Sequence, residues 1–230
     1  MIVPSFNESA NLPSLIAELR RVCPDYHVVV IDDGSTDRTS QVASALPVRL
    51  ISLPCNLGIG GAVQTGIQYA EQHGYEIALQ VDGDGQHPPS EIPKLLRVLK
   101  EAECDLVIGS RFQERDGHQS TLSRRMGIRL LSWIISVLCH TTVTDATSGF
   151  RALGRRAICL LANEYAEDYP EVEAILMANR AGLRIAEVSV RMADRQGGRS
   201  SIGMLQSISY MIKVPLAIFM SLLRSRPSLT

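Results

Sequence analysis

The feature that most constrains this chain is the alternation, through its first half, of short apolar runs with helix-patterned stretches, each run closing on a polar cluster. Ile2-Val3 ends at Pro4, and Tyr26 to Ile31 ends at Asp32-Asp33-Gly34-Ser35. Val48 to Leu53 leads into a glycine-rich stretch, Glu76 to Val81 ends at Asp82, and Asp105 to Gly109 ends at Ser110-Arg111. Helical spacing fills the intervals at Leu12 to Val22, Thr39 to Leu46, Gly61 to His73 and Ser90 to Glu101. Strands that are apolar almost throughout, separated by helices, predict an α/β fold: a mostly parallel sheet with helices on both faces. In such a sheet ligands gather at the carboxyl ends of the strands. Asn7-Glu8, Asp32-Asp33, Asp82/Asp84 and Ser110-Arg111 all fall there.

The second half is less regular. A polar loop, Gln113 to Ser123, precedes a helix over Arg124 to Cys139 and then Asp145-Ala-Thr-Ser-Gly-Phe-Arg151. A helix over Arg155 to Glu164 leads to Glu167-Asp-Tyr-Pro-Glu-Val-Glu173, followed by a strand over Arg184 to Val190 and the run Asp194 to Ser201. With no internal repeat, low-complexity tract or linker, the expected organisation is one domain over 1–201 that carries a C-terminal amphipathic helix or tail over 202–230.

Composition excludes several classes. A hydrophobic content of 45% with 20% charged residues is that of a globular chain rather than a disordered one. A net charge of -1 gives no global reason for a nucleic-acid partner. The five cysteines are scattered, odd in number and without a C-x-x-C pair, a pattern of reduced thiols rather than of a disulfide frame or zinc site. No segment resembles a signal peptide, and the apolar stretch Ile128 to Cys139 is too short to span a bilayer. Ile202 to Leu223 is interrupted by Gln206, Ser207, Ser209, Lys213 and Pro215. It reads as an amphipathic helix that packs on the domain or a partner, or makes peripheral membrane contact through 202–226. The location expected is cytoplasmic, with that segment as the means of reaching the membrane face.

The segment Gln80-Val-Asp-Gly-Asp-Gly-Gln-His-Pro-Pro89 carries the most chemistry. Alternation on an extended strand puts Asp82 and Asp84 on one side with Gln86 two steps on, giving three oxygen ligands in a row. Such a set suits a hard divalent cation, magnesium or manganese, that keeps positions open for phosphate oxygens. A polar Asp-Gly turn is the alternative. Gly58-Ile-Gly-Gly61 fails the dinucleotide fingerprint, because Val63 takes the last glycine position and the loop follows the third strand rather than the first. No P-loop motif is present.

Taken in order, Pro4-Ser-Phe-Asn-Glu8, Asp32-Asp-Gly-Ser-Thr-Asp37, Asn56-Leu-Gly-Ile-Gly-Gly-Ala62, Asp82-Gly-Asp-Gly-Gln-His-Pro-Pro89, Gly109-Ser-Arg111 and Asp145-Ala-Thr-Ser-Gly-Phe-Arg151 resemble family 2 inverting glycosyltransferases. The likeness runs from Pro4 to about Ser201 and is strongest to the branch that glycosylates dolichyl or polyprenyl phosphate. It implies the GT-A fold and a nucleotide-sugar donor. It also assigns Pro4, Phe6, Glu8 and Asp32, with Asp33 beside them, to the nucleoside, and Asp82, Asp84 and Gln86 to a metal that bridges the donor phosphates.

The resemblance further implies that Arg111 and Arg125 hold a lipid phosphate, as guanidinium groups match phosphate oxygens bidentately. Arg129, standing where that branch has a serine, is a further phosphate-binding candidate, and a solvated helix face is the alternative reading of Arg125 and Arg129. Arg195, with Arg199 second, matches the arginine of a mobile segment that closes on the diphosphate. The expected activity is transfer of a hexose from a GDP- or UDP-sugar to a polyprenyl phosphate, with Asp84, Arg111 and Asp145 in catalysis. The alternatives are a saccharide hydroxyl acceptor, with Asp145 as its base, and a non-catalytic nucleotide-sugar-binding protein. With an anionic lipid phosphate no base is needed, and Asp145 then positions Thr147, Ser148 or Arg151. Glu171 and Glu173 either face the acceptor or start a helix with acidic residues in its first turn.

Overall fold

The computed structural model describes residues 1–111, 122–139, 141–165 and 169–193, without the side chains of 122–126. Its centre is a seven-stranded sheet in the order β3-β2-β1-β4-β6-β5-β7. The strands are β1 (Ile2–Ser5), β2 (Val29–Asp32), β3 (Arg49–Ser52), β4 (Ile77–Gln80), β5 (Leu106–Ser110), β6 (Arg151–Gly154) and β7 (Ile185–Ser189). All run parallel except β6, which is antiparallel to both β4 and β5. The helices are α1 (Leu12–Val22), α2 (Thr39–Ser44), α3 (Gly58–Gln72), α4 (Ile92–Glu101), α5 (Leu122–Cys139), α6 (Arg155–Asn163) and α7 (Pro170–Arg180). The helix entries follow local chemistry: α1, α4 and α7 each carry proline in the first turn, where its missing N–H costs nothing.

Strand side chains alternate between two cores. Ile2, Val29, Ile31, Ala78, Leu106, Ile108 and Leu153 face a layer built from α3, α5, α6 and α7. Val3, Val30, Leu79, Val107 and Ala152 face the opposite layer of α1, α2 and α4. The inner strands therefore bury both faces, the physical reason β1, β2, β4 and β5 read as apolar runs, while the edge strands β3 and β7 stay partly exposed. The expected mostly parallel sheet, covered on both faces, is what the chain adopts.

Element bounds shift by up to three residues from the sequence reading, as at β2, which starts at Val29 rather than Tyr26. The glycine-rich helix starts at Gly58 rather than Gly61. An unexpected strand, β6, enters the sheet at Arg151, because its four residues gain strand character only from partners on both sides, Gln80 to Ile77 and Ile108 to Leu106. The segment 202–230 lies outside the described residues. Among the described residues no helix is long and apolar enough to cross a membrane.

Candidate functional site

Parallel β1, β2, β4 and β5 deliver the residues after them to one edge of the sheet, and antiparallel β6 begins at that edge. The helix after β1 packs on one face and the helix after β3 on the other, so the edge opens a crevice at β1.

On the β1–β2 side the polar groups organise loops first. Asn7 adopts a left-handed backbone (φ 58). Its Oδ1 accepts the Thr36 and Asp37 amides at 2.9 and 3.2 Å, tying the end of β1 to the loop after β2. Glu8 is buried, and its Oε2 accepts Asn11 Nδ2 at 2.6 Å. Asp32, also buried, accepts the Ser35 amide at 3.2 Å. Asp33 Oδ1 accepts the Leu57 amide at 2.7 Å. Gly34 makes that approach possible: its φ is +66, and a Cβ there would lie 2.7 Å from Asn56 N. Burial pushes the Asp33 carboxyl up, opposed by the Leu57 and Gly58 amides and reinforced by Asp32. Pro4 is buried beneath this rim, whereas Phe6 is 42% exposed on it. Asp37 serves the entry of α2, accepting the amide and hydroxyl of Thr39.

After β4 the chain turns through Asp82, Asp84 and Gln86. Asp84 Oδ1 accepts the Gln86 amide at 3.0 Å, and His87 Nδ1 accepts the Asp82 amide at 3.1 Å. The His87 ring is buried and stacks on Phe150 with centroids 4.9 Å apart. Burial lowers its pKa from 6.5 to about 4, with Arg111 adding to the effect and Asp84 and Asp145 opposing it. The ring is therefore neutral near pH 7, and its 3.7 Å approach to Asp82 Oδ2 is a dipolar contact rather than an ion pair. A Cβ on Gly149 would sit 3.0 and 3.1 Å from the Asp82 carboxylate oxygens, so only a bare backbone can pass over them. The carbonyl of Gln86 accepts the Ala193 amide at 3.0 Å, which brings the chain that leads to residue 194 up to this turn.

Among the described residues no group of three or more His, Cys, Asp and Glu side chains forms a ready-made metal site. The donors Asp82, Asp84 and Gln86 are nevertheless all oxygen, and Gly149 lacks the Cβ that would press on the Asp82 carboxylate. That set fits a hard cation whose shell is completed by phosphate oxygens and water, rather than a cation caged by protein alone.

Arg111, after β5, is held by Asp145. Its Nε and Nη2 donate to the two carboxylate oxygens at 2.6 and 2.7 Å, and its amide donates to Oδ2 at 3.2 Å. Nη2 also donates to Thr147 Oγ1 at 3.0 Å. Asp145 is completely buried. Burial opposes the charge on Arg111, but Asp145 outweighs it, with help from Asp82 and Glu171, and the guanidinium pKa is raised. Glu171, at the start of α7, has its pKa raised by burial and by Asp82, while Arg151 and Arg111 pull it down. Arg151 is 2% exposed and binds three carbonyls, of Ser148, Ala146 and Glu171, fastening the Asp145 loop to the start of α7.

The sheet edge thus brings together Asp82, Asp84, Arg111 and Asp145, with Glu171 beside them. Arg129 is exposed on α5. Arg125 lies in α5, but its side chain is outside the described residues, as are Arg195 and Arg199. Residues not singled out in the sequence include His87, Gln80 and Glu187. His87 had a signal, standing inside the Asp-Gly-Asp-Gly-Gln-His run, whereas Glu187 had none.

The glycosyl transferase family 2 profile matches residues 1–160. An undecaprenyl-phosphate mannosyltransferase of Micrococcus luteus is 32% identical over 87% of this chain and 86% of its own length. A polyprenol monophosphomannose synthase of Mycolicibacterium smegmatis is 29% identical over 88% and 80%. In three dimensions the chain is similar to glucosyl-3-phosphoglycerate synthase of Mycobacterium tuberculosis, solved with Mn2+, uridine diphosphate and phosphoglyceric acid. The TM-score is 0.71 at 22% identity, covering 95% of this chain and 76% of the other, a likeness of the GT-A fold.

Proposed function

Because the chain belongs to glycosyl transferase family 2, we propose that it moves a hexose from a nucleotide diphosphate sugar to a polyprenyl phosphate, with inversion at the anomeric carbon. The observation that carries this reading is the Arg111 guanidinium, fixed by Asp145 and near enough to Asp82 to feel its charge: a cation oriented beside one of the residues proposed to hold the metal of the donor diphosphate. The Micrococcus luteus relative, matched over most of both chains, supports a lipid phosphate as acceptor.

In this mechanism the nucleoside sits against Pro4, Phe6, Glu8 and Asp32, with Asp33 bracing the neighbouring loop. Asp82, Asp84 and Gln86 would hold a divalent cation, magnesium or manganese, and its chemistry would be that of a Lewis acid toward the leaving diphosphate. Arg111, and with it Arg125, orients the acceptor phosphate, while Arg195, or Arg199 as the second candidate, supplies an arginine to the donor diphosphate. An anionic phosphate oxygen attacks the anomeric carbon opposite the leaving diphosphate and needs no base. Asp145 then works as a support, its carboxylate engaged by three donors of Arg111. A second reading, transfer to a saccharide hydroxyl, requires a base. Glu171 suits that task better than Asp145, since burial raises its pKa beside Asp82 and Arg111.

The test is a screen of labelled nucleotide sugars against polyprenyl phosphate in vesicles, with and without chelator. Label in the lipid phase that disappears with chelator is the expected outcome. Label only on soluble saccharides would overturn the lipid acceptor, and lipid product unaffected by chelator would overturn the metal.

A further inference from the structure

Asp145 can hold Arg111 only if the loop that carries it is itself held. Arg151 of β6 holds the end of that loop at the Ala146 and Ser148 carbonyls, and its earlier part is supported by side chains of α5 and β7. Ser136 Oγ on α5 donates to the Val143 carbonyl at 3.0 Å and accepts the Val143 amide at 2.9 Å. Ser132 Oγ donates to the Thr144 carbonyl at 3.0 Å and accepts the Ala146 amide at 3.2 Å. The loop's centre rests on Glu187 of β7. Glu187 Oε2 accepts the Thr144 amide and the Thr144 hydroxyl, each at 2.8 Å, and Oε1 accepts the Asp145 amide at 2.8 Å.

Two of those partners are amides that can only donate, and the hydroxyl donates beside them, an arrangement that favours an ionised carboxylate. The Thr144 hydroxyl spends its proton on Glu187, so in the 2.7 Å contact between Thr144 and Ser110 it is the Ser110 hydroxyl that donates. Ser110 immediately precedes Arg111. Glu187 therefore fixes Arg111 from both ends: through Thr144 and Ser110 it sets the strand end, and through Asp145 it sets the guanidinium. It also places a second acid against the Asp145 backbone, an arrangement whose like-charge cost raises the Glu187 pKa further after burial has raised it. A loop needing only anchorage could use neutral groups such as Ser132 and Ser136, as this one does on its other side.

We infer that Glu187 is a positioning residue for glycosyl transfer, holding Arg111 in its phosphate-facing pose through Thr144 and Asp145. This rests on the reading of Arg111 as an acceptor-phosphate contact. Glu187→Gln keeps the shape but turns an NH2 group toward the Thr144 or Asp145 amide. The KM for polyprenyl phosphate is expected to rise about tenfold, with kcat within about threefold and the KM for the donor unchanged. In an Arg111→Lys background the same substitution adds nothing further, because the path to the phosphate is already altered.

Hydrogen exchange at the Arg111 amide, which bonds Asp145 Oδ2 at 3.2 Å, reads the structural half without turnover and is expected to accelerate in Glu187→Gln. Unchanged exchange overturns the inference. So does faster exchange with additive or unaltered kinetics, which would make Glu187 a stabilising group only. A wild-type enzyme that ignores polyprenyl phosphate sinks the acceptor reading instead; the kinetic arm is then run on the acceptor the enzyme does use, where the same shift is expected and its absence counts against Glu187. Should Glu187→Gln fail to fold, Thr144→Val removes the hydroxyl link alone, and a smaller KM rise in the same direction is the expected result; none would overturn the inference.

Discussion

Asp145→Asn separates support from chemistry. Asp145 is fully buried, and the Arg111 side chain is 19% exposed. Asparagine keeps one oxygen for Arg111 Nε and the backbone amide, but its NH2 group meets Nη2, donor against donor. Removing one partner of a buried ion pair costs about 3–5 kcal/mol. Water reaching Arg111 reduces this to roughly 2–4 kcal/mol, since the stranded charge is partly solvated. For a chain of this size each kcal/mol shifts Tm by about 2–4 °C, so the melting temperature is expected to fall by roughly 4–16 °C. Thermal melts by circular dichroism, with a urea titration as check, measure it in the presence of chelator so that no cation contributes. Arg111→Met supplies the second arm of a cycle, and Asp145→Asn/Arg111→Met is expected to be at least about 1 kcal/mol more stable than the sum of the single losses, because no buried charge is left unpaired. A melt within about 1 °C of wild type together with collapse of transfer would refute the support role and make Asp145 a chemical participant.

The remaining predictions concern the turn after β4. Asp84→Ala is expected to abolish chelator-sensitive transfer and to weaken Mn2+ binding measured by electron paramagnetic resonance, with the melt little changed; unaltered Mn2+ affinity would sink the metal assignment. Gly149→Ala drives a Cβ to 3.0 Å from Asp82 Oδ2, so Mn2+ affinity is expected to drop and stability to fall by about 1–3 kcal/mol through overpacking, and an unchanged Mn2+ titration would contradict this. The His87 ring, neutral in the fold down to about pH 4, protonates near 6.5 when the chain unfolds. The unfolded state therefore binds more protons between those values, and metal-free stability is expected to decline by about 3 kcal/mol as pH falls through that window. His87→Gln should flatten that slope, and equal slopes in both proteins would exclude His87 as its source.

Much of the edge was legible because it depends on local pattern. Helical spacing predicts α1 over the same residues it occupies, and the structure shows proline in its first turn and Leu12, Leu15, Ile16 and Leu19 buried. The strand-end motifs were placed correctly because a parallel sheet sends every such motif to one side. β6 was not legible: Arg151-Ala-Leu-Gly154 is too short and too mixed to signal a strand, and only its neighbours in the sheet make it one. Nor was the partner of Arg111, since the two residues of that ion pair are 34 positions apart and no periodicity connects them.

The sequence by itself determined the class of fold, the edge at which chemistry gathers and the donor atoms offered there, because alternation, turn residues and ligand spacing are short-range properties of a chain. Only the tertiary structure decided what those groups are committed to. Asp33 braces the loop at Leu57, Asp37 opens a helix, His87 is neutralised by burial against Phe150, and Asp145 is bound to Arg111. Glu187 enters the site from 42 residues away by the pairing of β7 with β5. Hydrogen-bond partnership and burial depend on which distant segments meet, and that is fixed when the sheet closes rather than residue by residue along the chain.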